Sequence, residues 1–409
     1  MLRGRRPASR YGKPMPAPAP PVNVADLLAA LVRINSVNPD LPGGGSEAAV
    51  IAFAGAFFAD HGIATRRLPV PGRGDQLLAT VPASDPAAEH HRLFDSHVDT
   101  VAVDGMTIDP FGGDVRDGKL HGRGACDTKG TAAAMMAALV AHAQRETRPA
   151  HVHVLLSLDE ECGMTGIHRF TAHDLPELGW APARTTAVVG EPTELRPVVA
   201  HNGYRRWDIT FHGRAGHSSV PSESENAISA AARGVVTLER DYLGKLAAEH
   251  GLTGPAVGSV NVIRGGSAGN IVPDACTVTL DRRVVPGEDP DAVLPAVAAV
   301  LDALDPPVRY TQTEGMHHPP FGTLDGSAWP DRVHDTLKRL GHRGPKVGAP
   351  FCTHAGYLDA AGVPTVVLGP GSPHKAHSAD EWVEVAQIGA GVVVYAELMA
   401  LPGAADIRP

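Results

Sequence analysis

Apolar positions along the chain follow two rhythms. Residues 24–34 (VADLLAALVRI) and 46–61 repeat at the three-to-four spacing that turns one helix face toward a core. In the second segment Val50, Ile51, Phe53, Phe57 and Phe58 make that face, Ser46 stands at the N-cap position and Gly62 is the stop. Further helices are predicted over 131–144 and about 384–400. Between them lie short apolar runs that predict strands: QLLATVPA (76–83), RLFDSHVDT (92–100), HVHVLLSL (151–158), TTAVVGEPTE (185–194) and PTVVLGPG (364–371). Strands alternating with helices predict an α/β layer with a mostly parallel sheet. In such sheets functional groups collect beyond the carboxyl ends of the strands.

The middle of the chain changes rhythm. YRRWDITFHG (204–213) alternates, with Trp207, Ile209 and Phe211 on one face. A helix at 224–243 follows, then strands GSVNVI (258–263) and ACTVTLDRRV (275–284), a helix at 289–304 and a strand PVRYTQT (307–313). The order β-α-β-β-α-β is that of a ferredoxin-like unit. It predicts a smaller α+β domain over 200–313, inserted into a larger domain formed by 22–199 and 314–409.

Composition narrows the classes. A length of 409 residues implies two or three domains, and 43% apolar with 20% charged residues is a globular composition. A formal net charge of −9 is a poor basis for binding nucleic acid or an anionic membrane surface. The best apolar stretch, near 131–143, is too short to span a bilayer. Aromatic residues at 5% argue against a base-stacking surface. Cys126, Cys162, Cys276 and Cys352 make no CxxC pair and are expected as buried free thiols. Residues 1–21 are basic, then rich in Pro and Ala, and lack the apolar core of a secretory signal; a disordered arm and a cytoplasmic location are expected.

The 21 histidines direct attention to metal sites. His97 and Asp99 share a face of one strand end, so the carboxylate can orient the imidazole. Asp127 sits in the Gly-rich GRGACDTKG, the Glu160–Glu161 pair ends an apolar strand, Glu191 lies in GEPTE and His377 follows the last strand. Each alone is ordinary: a strand-end His, a turn Asp, a solvated pair of acids. Gathered on one sheet edge, their negative charge in a partly buried cleft calls for a cation. Histidine with carboxylate and without thiolate suits zinc, cobalt or manganese. Two ions bridged by one carboxylate would use two His and three acids. Residue patterns do not separate the roles of Glu160 and Glu161. No GxSxG elbow, P-loop or dinucleotide fingerprint competes.

HVDTV (97–101), GRGACDTKG (122–130), LDEECG (158–163), GEPTE (190–194), GRAGHSSVP (213–221) and GPG…AHSADEW (369–382) together resemble, in order and spacing, the dizinc metallopeptidase family of acetylornithine deacetylase, succinyl-diaminopimelate desuccinylase and carboxypeptidase G. The likeness spans about 24–400 and looks nearest to the acetylornithine deacetylase branch. It implies a catalytic α/β domain holding two divalent metal ions, zinc first and cobalt second, with an inserted lid or dimerisation domain. His97 and Glu191 would bind one ion, Glu161 and His377 the other, and Asp127 would bridge them. Asp99 would support His97. Glu160 would be the general base, taking a proton from water and giving it to the leaving amine. His217 would stabilise the oxyanion in the partner's site of a homodimer. Asn270, Arg283 and Gly369 would hold the substrate. His354 replaces an acid common at that position and leaves specificity open. The activity implied is hydrolysis of a small-molecule N-acyl amino acid, with desuccinylase or glutamate-type carboxypeptidase activity next and a catalytically silent binding protein third.

Overall fold

Eight strands lie side by side in the order Ala64–Val70, Gly74–Val81, His151–Ser157, His91–His97, Thr185–Val189, Thr365–Val367, Val198–His201, Val347–Ala349. This computed structural model describes residues 22–322 and 326–402, so the arm expected at 1–21 lies outside the described residues. The four central strands, from His151–Ser157 to Thr365–Val367, are mutually parallel. Ala64–Val70 and Gly74–Val81 form an antiparallel hairpin on one edge. Burial alternates along the central strands toward two cores. Phe94, Val154 and Val188 face one side, while Leu93, Leu155, Ala187 and Val189 face the other.

The first core is closed by the helix Lys129–Ala143, whose small side chains Ala132, Ala133, Ala134, Ala137 and Ala138 are all buried. A helix apolar all round belongs between layers, and this one packs with Val385–Met399, Val24–Val32 and Glu47–Asp60 over the sheet. Ser46 does not cap as its type suggests: it is extended and its side chain makes no cap bond. The Ala64–Val70 strand has no clear sequence signal because ATRRLPV carries two arginines and a proline. Four of its first residues are exposed, as an edge strand allows. Strands of three or four residues, such as Val347–Ala349 and Val198–His201, are too short for periodicity to show.

The chain leaves this sheet at His201 and enters a second one at Gly203. There the strands Val257–Gly265, Ala275–Val284, Gly203–His212 and Arg309–Gln312 lie in that order, all antiparallel, with Met316–His318 also pairing with Gly203–His212. Trp207, Ile209 and Phe211 are buried with Val278 and Leu280 beneath helices Ala227–Asp241 and Val293–Asp302. Gly234 lets the first helix close on the sheet: a Cβ there would stand 2.3 Å from the Phe211 ring. Both helices are shorter than the periodic runs: Asn226 caps the first ahead of Ala227, and the 3-10 turn Pro290–Ala292 takes up the start of the second. Among the described residues no helix is long and apolar enough to cross a membrane.

Candidate metal centre

Parallel pairing puts the carboxyl ends of four strands on one edge. His97 is in register with Ser157, and Asp95 with Val189. The chain then delivers Asp99, Glu160 with Glu161, and Glu191 within a few residues of that edge. Asp127 comes from the turn before Lys129–Ala143, and His377 from the loop after Thr365–Val367, where it holds a left-handed φ of 58°.

Asp127 stands at the middle. Its Oδ1 lies 3.2 Å from His97 Nε2 and its Oδ2 lies 3.3 Å from His377 Nε2. His97 Nε2 is also 3.8 Å from Glu191, and His377 Nε2 is 3.2 Å from Glu161. One donor atom each of His97, Asp127 and Glu161 fit within 4.8 Å of one another. Two imidazoles and a set of carboxylates, with no thiolate among them, suit zinc-type divalent ions. The residues present therefore fit a metal site.

Asp99 is completely buried and organises the edge. It accepts from the backbone N–H of Glu160 (3.0 Å) and Glu161 (3.1 Å), and lies 3.4 Å from His97 Nδ1. Asn38, which the sequence did not single out, donates to Asp99 (2.8 Å) and to Asp159 (2.9 Å). Glu381 is a second missed residue. Its buried carboxylate accepts from the N–H groups of Gly124 (3.1 Å), Cys126 (2.9 Å) and Asp127 (3.0 Å) and from Arg123 (2.7 Å). It thereby fixes the turn that aims Asp127. Its only sequence signal is its place in AHSADEW.

Proton affinities follow from this crowding. Burial pushes Glu160, Glu161 and Glu191 up, and the neighbouring Asp127 adds to the rise. Burial would also raise Asp127, but hydrogen bonds from His377 and His97 outweigh it and hold it low. His377 is pushed up to about 11 by its bonds to Asp127 and Glu161. Burial opposes a charged His97, yet Asp127 and Asp99 raise it well above the usual imidazole range. The site stabilises positive charge among its acids.

A pocket of about 240 Å³ opens on the cluster, lined by Asp127, Glu160, Glu161, Glu191 and His377 and by an apolar wall around Phe351. The remaining candidate residues lie elsewhere. His217, on a short strand paired with Ile271–Val272, is exposed and bonds to Ser219 Oγ (2.8 Å). Asn270 accepts from Ser218 through its carbonyl (3.1 Å). Neither lines this pocket. Gly369 is buried against Glu191, and its N–H donates to Thr193 Oγ1 (3.1 Å). Of two adjacent arginines, Arg282 is buried on Glu288, whereas Arg283 is part-exposed over the Tyr204 ring at 5.3 Å. His354 is buried 2.8 Å from Asp95, with its ring 6.4 Å from that of His97. All four cysteines are free; Cys126 and Cys276 are buried, Cys162 and Cys352 only partly so.

Residues 93–401 match the description of peptidase family M20/M25/M40. The acetylornithine deacetylase of Myxococcus xanthus is 35% identical over 295 residues, covering 71% of this chain and 74% of that protein. That of Erwinia tasmaniensis is 31% identical over 351 residues, covering 84% and 88%. Among solved structures, the M20 family metallo-carboxypeptidase Sso-CP2 from Sulfolobus solfataricus aligns with a TM-score of 0.75 at 17% identity, over 92% of this chain and 98% of that one. The Bacillus subtilis YXEP protein, a dinuclear metal binding peptidase, aligns at 0.65 with 15% identity, over 92% and 96%. Sheet, clustered donors and sequence relatives together define a hydrolase acting on amide bonds. The chain belongs to peptidase family M20/M25/M40.

Proposed function

We propose that the protein cleaves the amide of an N-acyl amino acid, giving a carboxylate and a free amine, with two divalent ions as cofactors, zinc first and cobalt second. The observation that carries this reading is Asp127, which lines a small pocket and turns one carboxylate oxygen toward each of two imidazoles, those of His97 and His377. In this reading His97 and Glu191 hold one ion, Glu161 and His377 the other, and Asp127 spans both. Bound there, the ions would polarise the scissile carbonyl and activate water. Glu160 lines the same pocket and serves as general base, taking the proton of the attacking water and passing it to the amine nitrogen. Asp99 orients His97 and pins the backbone of Glu160 and Glu161.

The inserted α+β domain acts as lid and dimerisation domain. Arg283 is its freer arginine and takes the substrate carboxylate, with Asn270 and Gly369 supporting the bound molecule. The strand Val257–Gly265 ends its sheet with one neighbour and exposes Val257 and Ile263, which favours pairing with a second copy. His217, exposed on the same domain, is assigned to oxyanion stabilisation across that cytoplasmic homodimer.

The test is release of free amine from N-acetylornithine, N-succinyl-diaminopimelate, N-acetyl neutral amino acids and acyl-glutamates. Chelator-stripped protein is assayed with and without added zinc or cobalt. Metal-dependent release from an N-acyl amino acid is expected. Release from the succinyl substrate alone would move the assignment to a desuccinylase. No release with two ions bound would replace the enzyme reading by that of a binding protein.

A further inference from the structure

The pocket wall speaks to the substrate itself. Around the metal cluster the lining consists of Pro192, Phe351, Cys352, Pro373 and Ala376. None carries a charge: burial pushes the Cys352 thiol well up, so it stays protonated. Every carboxylate in the lining belongs to the cluster already described. Asp127 and Glu161 face imidazoles, Glu191 faces His97, and Glu160 is assigned the proton transfer.

The inserted domain adds positive charge. Arg283 stands on the strand Ala275–Val284, in register with Tyr204 on the neighbouring strand. Arg206 and Arg283 both lie over the Tyr204 ring at 5.3 Å. The nearest acid of that strand, Asp281, is taken up by Arg206 (2.7 Å) and Arg283 (2.9 Å). Among the described residues lining the pocket, a substrate ammonium would lose its water and meet no carboxylate outside the metal cluster, a costly burial. An apolar side chain would lose water against apolar atoms, a favourable one. At about 240 Å³ the pocket also lies under the roughly 300–1,000 Å³ of drug-sized sites, so the substrate is small.

We infer that this enzyme takes N-acyl amino acids whose side chain is small, apolar and uncharged, and discriminates against the cationic side chain that the name of its acetylornithine deacetylase relatives implies. The inference rests on the amidohydrolase reading and narrows it. The decisive pair is N-acetyl-norleucine and N-acetyl-ornithine, which share chain length and acyl group and differ by a methyl in place of an ammonium. With the zinc-loaded full-length enzyme, kcat/KM for the norleucine compound is expected to be at least tenfold higher. Equal values, or a preference for ornithine, overturn the inference and leave amide hydrolysis standing. Turnover of neither, nor of any other amide offered, removes the hydrolase reading and this one with it. Two variants place an acid in the wall. Phe351→Asp and Pro373→Asp are each expected to lower the norleucine-to-ornithine ratio at least tenfold, measured on protein shown to be folded and to retain its metal. An unchanged ratio in both, with turnover retained, means that the side chain lies elsewhere and overturns the inference.

Discussion

Asp99 touches two jobs at once, because one carboxylate faces His97 and also holds the N–H groups of Glu160 and Glu161. Asp99→Asn is expected to weaken metal binding about 10–100-fold, the usual effect of removing a ligand's orienting partner. Competition with a chelator measures this; unchanged affinity would confine Asp99 to placing Glu160. Glu160→Ala should lower turnover by about 10²–10⁴-fold, the typical worth of a positioned base, with metal content unchanged. Loss of metal as well would make Glu160 a ligand. His97, Asp127, Glu161 and His377 come within 3.2–3.3 Å of a neighbour in the cluster, and Glu191 lies 3.8 Å from His97. Asn38 and Glu381 stayed hidden for a physical reason. They act on backbone and carboxylates 61 and about 255 residues away, and nothing in a lone loop Asn or an exposed-looking Glu announces such partners. Arg283 could be separated from Arg282 only by seeing which side chain the core encloses.

Secondary structure was legible where burial imposes a rhythm and faint where it does not. The strand Ala275–Val284 has the bounds its alternation predicts, since Gly203–His212 pairs along its whole length and Val257–Gly265 along residues 276–283. Edge hairpins and three-residue strands carry no such signature. Caps obey the same logic of partners. Asn226 accepts from the N–H groups of Ile228 (2.9 Å) and Ser229 (3.2 Å), whereas Ser46 makes no cap bond. Asn226→Ala should therefore cost about 1 kcal/mol and Ser46→Ala a few tenths at most, read from denaturant titration. A third expectation concerns the amino ends of two adjacent strands, far from the metal cluster. His91 Nδ1 meets His153 Nε2 at 3.1 Å, His153 Nδ1 meets Thr80 at 2.9 Å, and His151 and Trp180 stack on the group. Burial pushes His91 down to about 4 and His153 well below the ordinary value. The folded chain thus prefers neutral rings. Their contribution is full above about pH 6.5 and is lost as pH falls toward 4. Between pH 7 and 5 the wild type should lose roughly 2–4 °C more in Tm than His153→Gln, which has no such ring to charge; equal losses would assign the acid sensitivity to other groups.

At the scale of the whole molecule, the sheet carries the clustered donors while His217, Asn270 and Arg283 belong to the inserted unit. Mixing His217→Ala with Glu160→Ala subunits should restore part of the activity if the histidine serves a partner's site. No rescue despite proven subunit exchange would confine it to its own chain. The insertion leaves the sheet and rejoins it side by side. The departing strand at His201 and the returning segment at Phe321 exchange two backbone hydrogen bonds of 3.0 Å each. Such a pair sets the two Cα atoms roughly 5.5 Å apart, a gap that two glycines span. Replacing residues 202–320 by two glycines is therefore expected to close the chain without stretching it, like a drawer taken from its frame. The shortened chain should fold and load divalent ions as before, yet hydrolyse amides at least a hundredfold more slowly, having kept its chemistry and lost its grip.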